Sequence, residues 1–424
     1  MLTRQKLELS RLPREIPLSD NERWRLGTPK SELEPLLDFW LEKYDWRAQE
    51  AEINTRLPQF RTLIDTASLS TAQRPSSEAS DTSKLRLHFV HKRSSNPNAI
   101  PLLFCHGWPG SFLDILPLIE PLSSPSSRSV STFNGPDSAP LQAPSFHVVC
   151  PSIPGFGFSD ASDSTTFGAA ATATVFDALM RKLGYSTYVV HGSGWGWRVA
   201  RQLALQHGAS VAATHTHSPA FPEPQHGVRA AAWWKWRVAR LTAARVPWLA
   251  FGYSPADVRN AAAARAAAQG AVPADLDLEA GLTAHPQTPS FALCDSPPGL
   301  LATVLDLLHA ASGVLPPPVD ILNKTMMHWL PGPEAALRWI GVTRTEKLYT
   351  AYSPVPLGIS CFSWEQQPVL WAEGWQKVVW CRKRHESISV YAAKSGEGKR
   401  NDRDAELVVD LRDFVRQCTK EGWL

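Results

Sequence analysis

The sequence predicts an α/β protein with a mostly parallel sheet and helices on both faces. Three apolar runs, at residues 99–107, 145–157 and 186–197, each lead into a glycine-rich turn, and helical stretches alternate with the predicted strands. That alternation is typical of parallel strands joined by helical crossovers. The 424 residues, 43% of them hydrophobic, suit one large domain with an insertion or two ordinary domains.

The first 84 residues predict a helical segment followed by a loop. Apolar side chains recur at helical spacing from residue 30 to residue 64, with charged side chains between them. Residues 67–84 are Ser, Thr, Ala and charged residues without apolar periodicity, so we predict a surface loop there. The sheet begins with residues 85–91, where apolar and polar residues alternate.

Downstream, the pattern predicts a sheet that is interrupted by a helical cap insertion. Domain boundaries are predicted at residues 1–84 (N-terminal segment), 85–220 (first part of the core), 221–344 (cap) and 345–424 (second part of the core). The elements expected within the core are a helix at 168–183, a strand at 186–197, a helix at 199–208 closed by Gly208, a strand at 211–219, short β-like runs at 354–365 and 388–396, and a final helix at 405–418.

The composition favours a small-molecule partner. Lys and Arg total 43 against 40 Asp and Glu, a net charge of +3 with the two signs interspersed. Nucleic acid needs a concentrated basic surface, which this pattern does not provide. The apolar residues, including 17 Trp and 16 Phe, suffice for a core and for a pocket that binds a hydrophobic substrate.

The six cysteines and the N-terminus predict a cytoplasmic location. No CxxC pair or metal-ligand spacing occurs, and two cysteines lie inside apolar runs, which favours buried free thiols in a reducing compartment. Charged residues interrupt the first 17 residues every few positions, so neither a signal peptide nor a stable membrane span is expected. The sequence leaves a homodimer open.

Three turns carry the candidate chemistry. His106-Gly107-Trp108-Pro109-Gly110-Ser111 follows the first buried run, where backbone N–H groups can hold an oxyanion. Residues 154–160 (PGFGFSD) follow the second run. Residues 192–196 (GSGWG) follow the third and have the small-x-nucleophile-x-small form of a nucleophile elbow.

With these turns the chain resembles the microsomal-type epoxide hydrolases, the branch of the α/β-hydrolase fold with an extra N-terminal segment and a helical cap. The resemblance extends over nearly the whole chain. Its residues are Trp40, Asn54, and the runs at 44–47, 57–60, 106–111, 154–160, 295–300, 355–358 and 362–365.

The resemblance implies that the usual catalytic groups are substituted. The family's nucleophile is an Asp on the elbow, and here that position is Gly194; the family's general base is a His, and here Glu397 takes its position. Glu365 matches the acid that orients the base. Ser193 is disfavoured as a replacement nucleophile because its flanking residues, His191 and Trp195, are too bulky for the small positions of an elbow.

A pocket without a nucleophile suits general acid–base catalysis. We therefore expect non-hydrolytic cyclisation or isomerisation of a hydrophobic intermediate of secondary metabolism, without a cofactor. The expected catalytic groups are Glu365, Glu397 as its partner, and the backbone at Trp108; the expected substrate-binding residues are His106, Ser193, Gly194 and Trp195. Two alternatives stay open: ring opening of an epoxide by direct attack of water or a substrate hydroxyl, and a binding protein without catalysis.

Several of these residues also have a purely structural interpretation. His215 and His217 alternate onto one face of a strand, and core histidines are favoured there over metal ligands because no third ligand is evident. For Trp233, Trp234 and Trp236, packing is favoured over stacking on a ligand. For Glu397, a solvated loop charge and a functional role are equally compatible with the sequence.

Overall fold

The computed structural model describes residues 2–66, 84–124, 143–217, 221–269, 278–362, 368–383 and 397–424, with the backbone alone for 263–269 and 397–402. Eight strands form one sheet in the order β1-β2-β4-β3-β5-β6-β7-β8. β1 pairs with β2, and β2 with β4, in antiparallel fashion, and all other pairs are parallel. The strands are β1 Gln59–Asp65, β2 Lys84–Lys92, β3 Ile100–Cys105, β4 Phe146–Pro151, β5 Tyr188–Gly192, β6 Val211–His217, β7 Ser353–Cys361 and β8 Gln376–Lys383.

Helices cover both faces of this sheet, which confirms the predicted α/β class. α5 and α6 contribute Phe176 and Leu203 to the core on one face, and α15 contributes Phe414 to the core on the other. The helices are α1 Leu2–Glu8, α2 Lys30–Glu42, α3 Trp46–Arg56, α4 Ile119–Ser123, α5 Ala169–Lys182, α6 Trp195–Gln206, α7 Ala230–Leu241, α8 Pro247–Ala250, α9 Pro255–Gln269, α10 Leu278–Ala284, α11 Gln287–Leu293, α12 Pro297–Ser312, α13 Pro318–Trp329, α14 Glu334–Thr345 and α15 Glu397–Lys420.

The helices α7 to α14 form an insertion between β6 and β7. The N-terminal helices pack against this insertion: Leu33 and Trp40 of α2 share a core with Leu301 and Leu305 of α12. No single helix among the described residues is both long enough and apolar enough to cross a bilayer; α11 and α12 pass such a test only as a pair bent by 116°. The domain boundaries predicted from the sequence stay a prediction.

Four local predictions differ from the structure. The predicted helical stretch 30–64 ends at Arg56, because Pro58 disfavours helical geometry at Leu57, and β1 follows. α6 begins at Trp195 rather than at 199, directly in the glycine-rich turn. α15 begins at Glu397 rather than at 405, so Glu397 is not a loop residue. β8 was missed because it is an edge strand with an irregular burial pattern. The runs at 67–83 and 388–396 lie outside the described residues.

The cysteines and the Trp cluster separate into buried and exposed members. Cys105, Cys150, Cys361 and Cys418 are buried free thiols as predicted, but Cys294 and Cys381 are exposed. Trp236 is buried against Tyr253 and Trp371, which fits the predicted packing role. Trp234 is exposed and does not pack in the core.

Candidate active site

The elbow keeps its backbone geometry although its central residue has no side chain. β5 ends at Gly192, α6 begins at Trp195, and Gly194 between them has φ 52° and ψ −120°. Residues that carry a side chain rarely adopt these backbone angles, and a residue other than Gly would be strained by roughly 1–3 kcal/mol there. A Cβ placed on Gly194 has no heavy atom of the described residues within 4 Å. The position that the resemblance assigns to the family's Asp is therefore clear of the part of the chain that the structure describes.

The two outer glycines show why the turn is so tight. A Cβ on Gly192 would lie 2.5 Å from the Gly196 carbonyl oxygen, and one on Gly196 would lie 2.1 Å from the Cys105 carbonyl oxygen. β3, β5 and α6 thus meet with no room for a side chain. Ser193 is half-buried, and its carbonyl oxygen accepts hydrogen bonds from the N–H groups of Gly196 and Trp197. Gly194, and not Ser193, has the positive φ of an elbow.

We expect Gly196→Ala to destabilise the fold by about 3 kcal/mol or more, because its new methyl group meets the backbone of β3, which cannot yield as a side chain can. Gly281→Ala in α10 is the matched control, since a Cβ there meets no atom within 4 Å and the helix favours Ala. Urea unfolding monitored by circular dichroism checks both. Equal stability of the two variants would contradict the close packing at the elbow.

The His106–Ser111 turn lies directly beside the elbow. A Cβ on Gly107 would be 3.4 Å from the Ser193 carbonyl oxygen and 3.9 Å from the Trp195 nitrogen. Trp195 is the first residue of α6, so its N–H has no partner within the helix. The backbone of Gly107, next to Trp108, therefore lies close to the Trp195 N–H at the positively polarised N-terminus of α6, where a developing negative charge is stabilised.

His106 is placed to hold this turn rather than to face a ligand. It is buried, its Nε2 accepts a hydrogen bond from the Ile153 N–H at 3.0 Å, and its Nδ1 lies 2.9 Å from the Gly107 carbonyl oxygen. The first contact assigns the proton to Nδ1, which then donates to Gly107. Burial lowers the pKa of His106, which keeps this ring neutral.

Aromatic side chains form a wall between the elbow and the insertion helices. Trp108 packs against Leu293, Leu300 and Val304, which belong to the insertion helices. The Trp195 Nε1–H donates to Glu279 of α10 at 3.3 Å, and its ring lies 6.3 Å from that of Trp339 in α14. Glu279 also pairs with Arg344 at 3.3 Å. Sequence reasoning missed Glu279 and Trp339, because only folding brings them close to a residue more than 80 positions away.

A cavity of about 800 Å³ lies beyond this aromatic wall. It is formed by the loop after β4, by α10 and by α14, and Trp339 belongs to its lining. The elbow residues do not line it. Trp339 therefore separates the cavity on one side from Trp195 of the elbow on the other.

Two buried histidines, His191 and His215, and the half-buried His217 lie together on the sheet face that α15 covers. The Nδ1 atoms of His191 and His215 are 3.0 Å apart, and the rings of His191 and His217 stack at 5.5 Å. His215 Nε2 lies 3.2 Å from the Ser360 hydroxyl, which donates to Asp410 at 2.7 Å. The sequence prediction of one shared face for His215 and His217 agrees with this arrangement.

The cluster does not form a metal site. Across the described ranges, no group of three or more His, Cys, Asp or Glu side chains could hold a metal ion. His215 is hydrogen-bonded as expected for a core histidine. Nδ1 of His217 and Nε2 of His191, however, have no hydrogen-bond partner among the described residues, so these two are not fully satisfied. Burial lowers the pKa of His217 to about 4 and that of His215 to about 3.

The structure describes the two candidate catalytic glutamates only in part. Glu365 lies outside the described residues, and Glu397 is placed only as the first residue of α15. Gly194, Ser193, Trp195 and Trp108 come together at the junction of the two turns. The assignments of catalytic and substrate-binding roles thus stay proposals.

Comparison with known proteins agrees with this geometry. The sheet order and the elbow define a protein of the α/β-hydrolase fold, and residues 100–269 match the model of that fold. Residues 1–115 match the model of the epoxide hydrolase N terminus. A putative epoxide hydrolase of Stigmatella aurantiaca is 29% identical over 381 residues, covering 87% of this chain and 73% of the relative. The chain belongs to the epoxide hydrolase family of enzymes.

Other relatives match over shorter stretches or by fold alone. Epoxide hydrolase 1 of Oryctolagus cuniculus is 32% identical over 204 residues, which cover 47% of this chain but only 38% of the relative. The juvenile hormone epoxide hydrolase of Bombyx mori has a similar fold, with a TM-score of 0.72, 19% identity, and coverage of 99% and 91% of the two chains. The epoxide hydrolase of Aspergillus niger also has a similar fold, with a TM-score of 0.63 and 24% identity. The match covers 98% of this chain and 92% of that chain.

Proposed function

We propose that this epoxide hydrolase-like protein catalyses a non-hydrolytic cyclisation or isomerisation of a hydrophobic intermediate of secondary metabolism, without a cofactor. The observation that carries the proposal is Gly194: the elbow keeps its positive φ and open space, but no atom can form the ester that covalent hydrolysis needs. What is left at this position is room for a substrate.

Polarisation of the substrate is assigned to the backbone. The neighbouring N–H groups at Trp108 and Trp195 stabilise negative charge on an oxygen, either the alkoxide of an opening ring or an enolate. Such donors act without a nucleophile because they respond to charge that develops during the reaction. The approach of the Gly107 backbone to the Trp195 nitrogen supports this role.

Proton transfer is assigned to Glu365, with Glu397 as its partner. Glu365 holds the position of the family's acid by resemblance, and a carboxyl group beside an apolar pocket is a suitable general acid or base. The aromatic side chains of Trp108, Trp195 and Trp339 close to the elbow support a hydrophobic substrate.

An isotope experiment tests the reaction class. Hydrophobic epoxides that carry a pendant hydroxyl group are incubated with the protein in ¹⁸O-water, since such substrates can either cyclise or hydrolyse. The expected product has the mass of the substrate, contains no ¹⁸O and forms faster than without protein. A diol that carries one heavy oxygen would overturn the proposal in favour of direct attack by water, and absence of turnover on the whole panel would favour a binding protein.

Glu365→Gln tests the proposed acid or base. We expect kcat to fall by about 10²–10⁴-fold with little change in KM, because the amide cannot exchange a proton but keeps the shape of the side chain. Glu120→Gln is the control, since Glu120 is an exposed surface residue that pairs with Lys92. An unchanged kcat in the Glu365 variant would remove this residue from the mechanism.

A further inference from the structure

Helix α7 has apolar side chains on two opposite faces. Ala232, Trp236 and Ala239 are buried, and Trp236 packs against Tyr253 and Trp371. On the other side, Trp234 and Leu241 lie two helical turns apart and are 56% and 78% exposed. A surface helix normally directs only one apolar stripe to the core, so the outer stripe is unexplained by the fold.

The following helix extends this outer surface. Trp248 of α8 is 76% exposed, and Phe251 directly after α8 is 44% exposed. Phe251 has φ 50°, and Ala243 and Ala244 in the connection between α7 and α8 have φ 50° and 51°. Residues other than Gly rarely adopt this conformation, so the chain maintains a strained path through the segment that presents these side chains.

The charges of the same segment are all positive. Residues 229–251 contain five basic residues and no acidic one, although the whole chain has a net charge of only +3. Two acidic residues from outside compensate in part: Glu373 lies 3.6 Å from Lys235, and Glu223 lies 3.9 Å from Arg240. We call this surface the α7–α8 patch. It consists of Trp234, Leu241, Trp248 and Phe251 with the basic residues Lys235, Arg237 and Arg245.

The charge pattern decides between the possible occupants. A symmetric dimer through this patch would place its three cations against the same three of the other copy, which is unfavourable. An anionic lipid surface complements both features, because basic side chains bind its headgroups and Trp side chains prefer the boundary between water and acyl chains. Exposed Trp and Leu side chains beside cations are the composition of helices that lie in a membrane interface.

We propose that the α7–α8 patch binds the surface of an anionic membrane, with α7 lying parallel to the bilayer and its outer apolar stripe inserted among the headgroups. This contact is peripheral and spans no bilayer. It does not depend on the proposed reaction, since it involves neither the elbow nor the cavity.

Sedimentation with lipid vesicles tests the proposal on the full chain. We expect the protein to sediment with vesicles of phosphatidylcholine and phosphatidylserine at low salt, and to be released at high salt because the lipid charges are then screened. Binding should also shift Trp fluorescence to the blue. The double variant Trp234→Ser/Trp248→Ser should reduce the partition coefficient about tenfold or more, and Lys235→Glu/Arg245→Glu should do the same.

Phe291→Ser is the matched control, because Phe291 is 73% exposed on α11 outside the patch and its loss should leave binding unchanged. All variants change exposed positions, and circular dichroism checks that they fold. The proposal would be overturned if the protein did not sediment with anionic vesicles, or if Phe291→Ser lost as much vesicle binding as the patch variants. A concentration-dependent dimer that disappears in Trp234→Ser/Trp248→Ser would assign the patch to a second copy instead.

Discussion

The Gly194→Asp variant is expected to have a nucleophile at the elbow that forms a covalent adduct with one epoxide molecule and is not regenerated. The new Cβ meets no atom of the described residues within 4 Å, and it lies at the elbow that Gly107 approaches. A carboxylate oxygen attacks an epoxide carbon, the ring C–O bond breaks, and the alkoxide takes a proton from water. On the proposal that Glu397 takes the position of the family's His, no imidazole activates water to hydrolyse the ester, so the adduct should persist.

Intact-protein mass spectrometry after incubation with a hydrophobic epoxide measures the adduct. The Gly194→Asp variant should gain the full mass of one epoxide, whereas the wild-type protein should gain nothing at this site. Gly194→Asn is the matched control, since it introduces the same size and the same strain of about 1–3 kcal/mol without a nucleophile. If a folded Gly194→Asp variant stays unmodified, or if the Asn variant is modified equally, Gly194 is not the reactive position of the elbow.

Acidification is expected to unfold the protein between pH 6.5 and about pH 4. Burial lowers the pKa of His215 to about 3 and the pKa values of His217 and His328 to about 4. An unfolded chain binds protons at these groups near pH 6.5, and the folded chain does so only at the lower values. Their stabilising effect is therefore complete above pH 6.5 and is lost as the pH falls through the window down to the folded pKa.

The expected loss is large because the groups act together. Each histidine contributes up to 1.36 kcal/mol per pH unit, or about 2 kcal/mol at pH 5. Three such groups lose about 6 kcal/mol, which is comparable with the whole stability of a typical domain of about 5–15 kcal/mol. The free energy of unfolding in urea, measured from pH 7.5 to pH 4.5, should fall steeply below pH 6.5.

The variant His328→Gln isolates one of these groups. His328 Nε2 lies 2.9 Å from the Pro109 carbonyl oxygen, and the Gln amide can donate the same hydrogen bond without titrating. We expect the slope of the free energy of unfolding against pH to decrease by an amount that corresponds to the uptake of up to one proton on unfolding. The control is His226→Gln, the same substitution at an exposed histidine. An unchanged slope in His328→Gln would show that this buried ring does not drive acid unfolding.

Patterns within short stretches of the sequence were sufficient for much of the fold. The predicted helix at 168–183 corresponds to α5, and the turns at 106–111, 154–160 and 192–196 each follow a strand. The spacing of apolar residues indicates a helix or a strand, and the position of Gly indicates a turn, because both depend on the local backbone. For the same reason Gly194 could be recognised at the elbow, and the structure gives it the positive φ that this position requires.

Predictions failed where tertiary contacts override local pattern. β1 and β8 are edge strands, and the side chains of Gln59–Asp65 are mostly exposed, so helical spacing and strand alternation could not be distinguished there. Packing was expected for Trp234, which has the same chemistry as Trp236 two positions away. Which of the two faces the core depends on how α7 docks, and this is not encoded in the composition of the helix.

The sequence by itself determined the α/β class, the order of the elements and the glycine at the centre of the elbow, because these depend on residue identity and local spacing. Only the tertiary structure decided that His191, His215 and His217 form one cluster, that Glu279 accepts a hydrogen bond from Trp195, and that the outer stripe of α7 stays exposed. Such contacts join residues distant in the chain, and they form only when helices and strands pack in one particular arrangement.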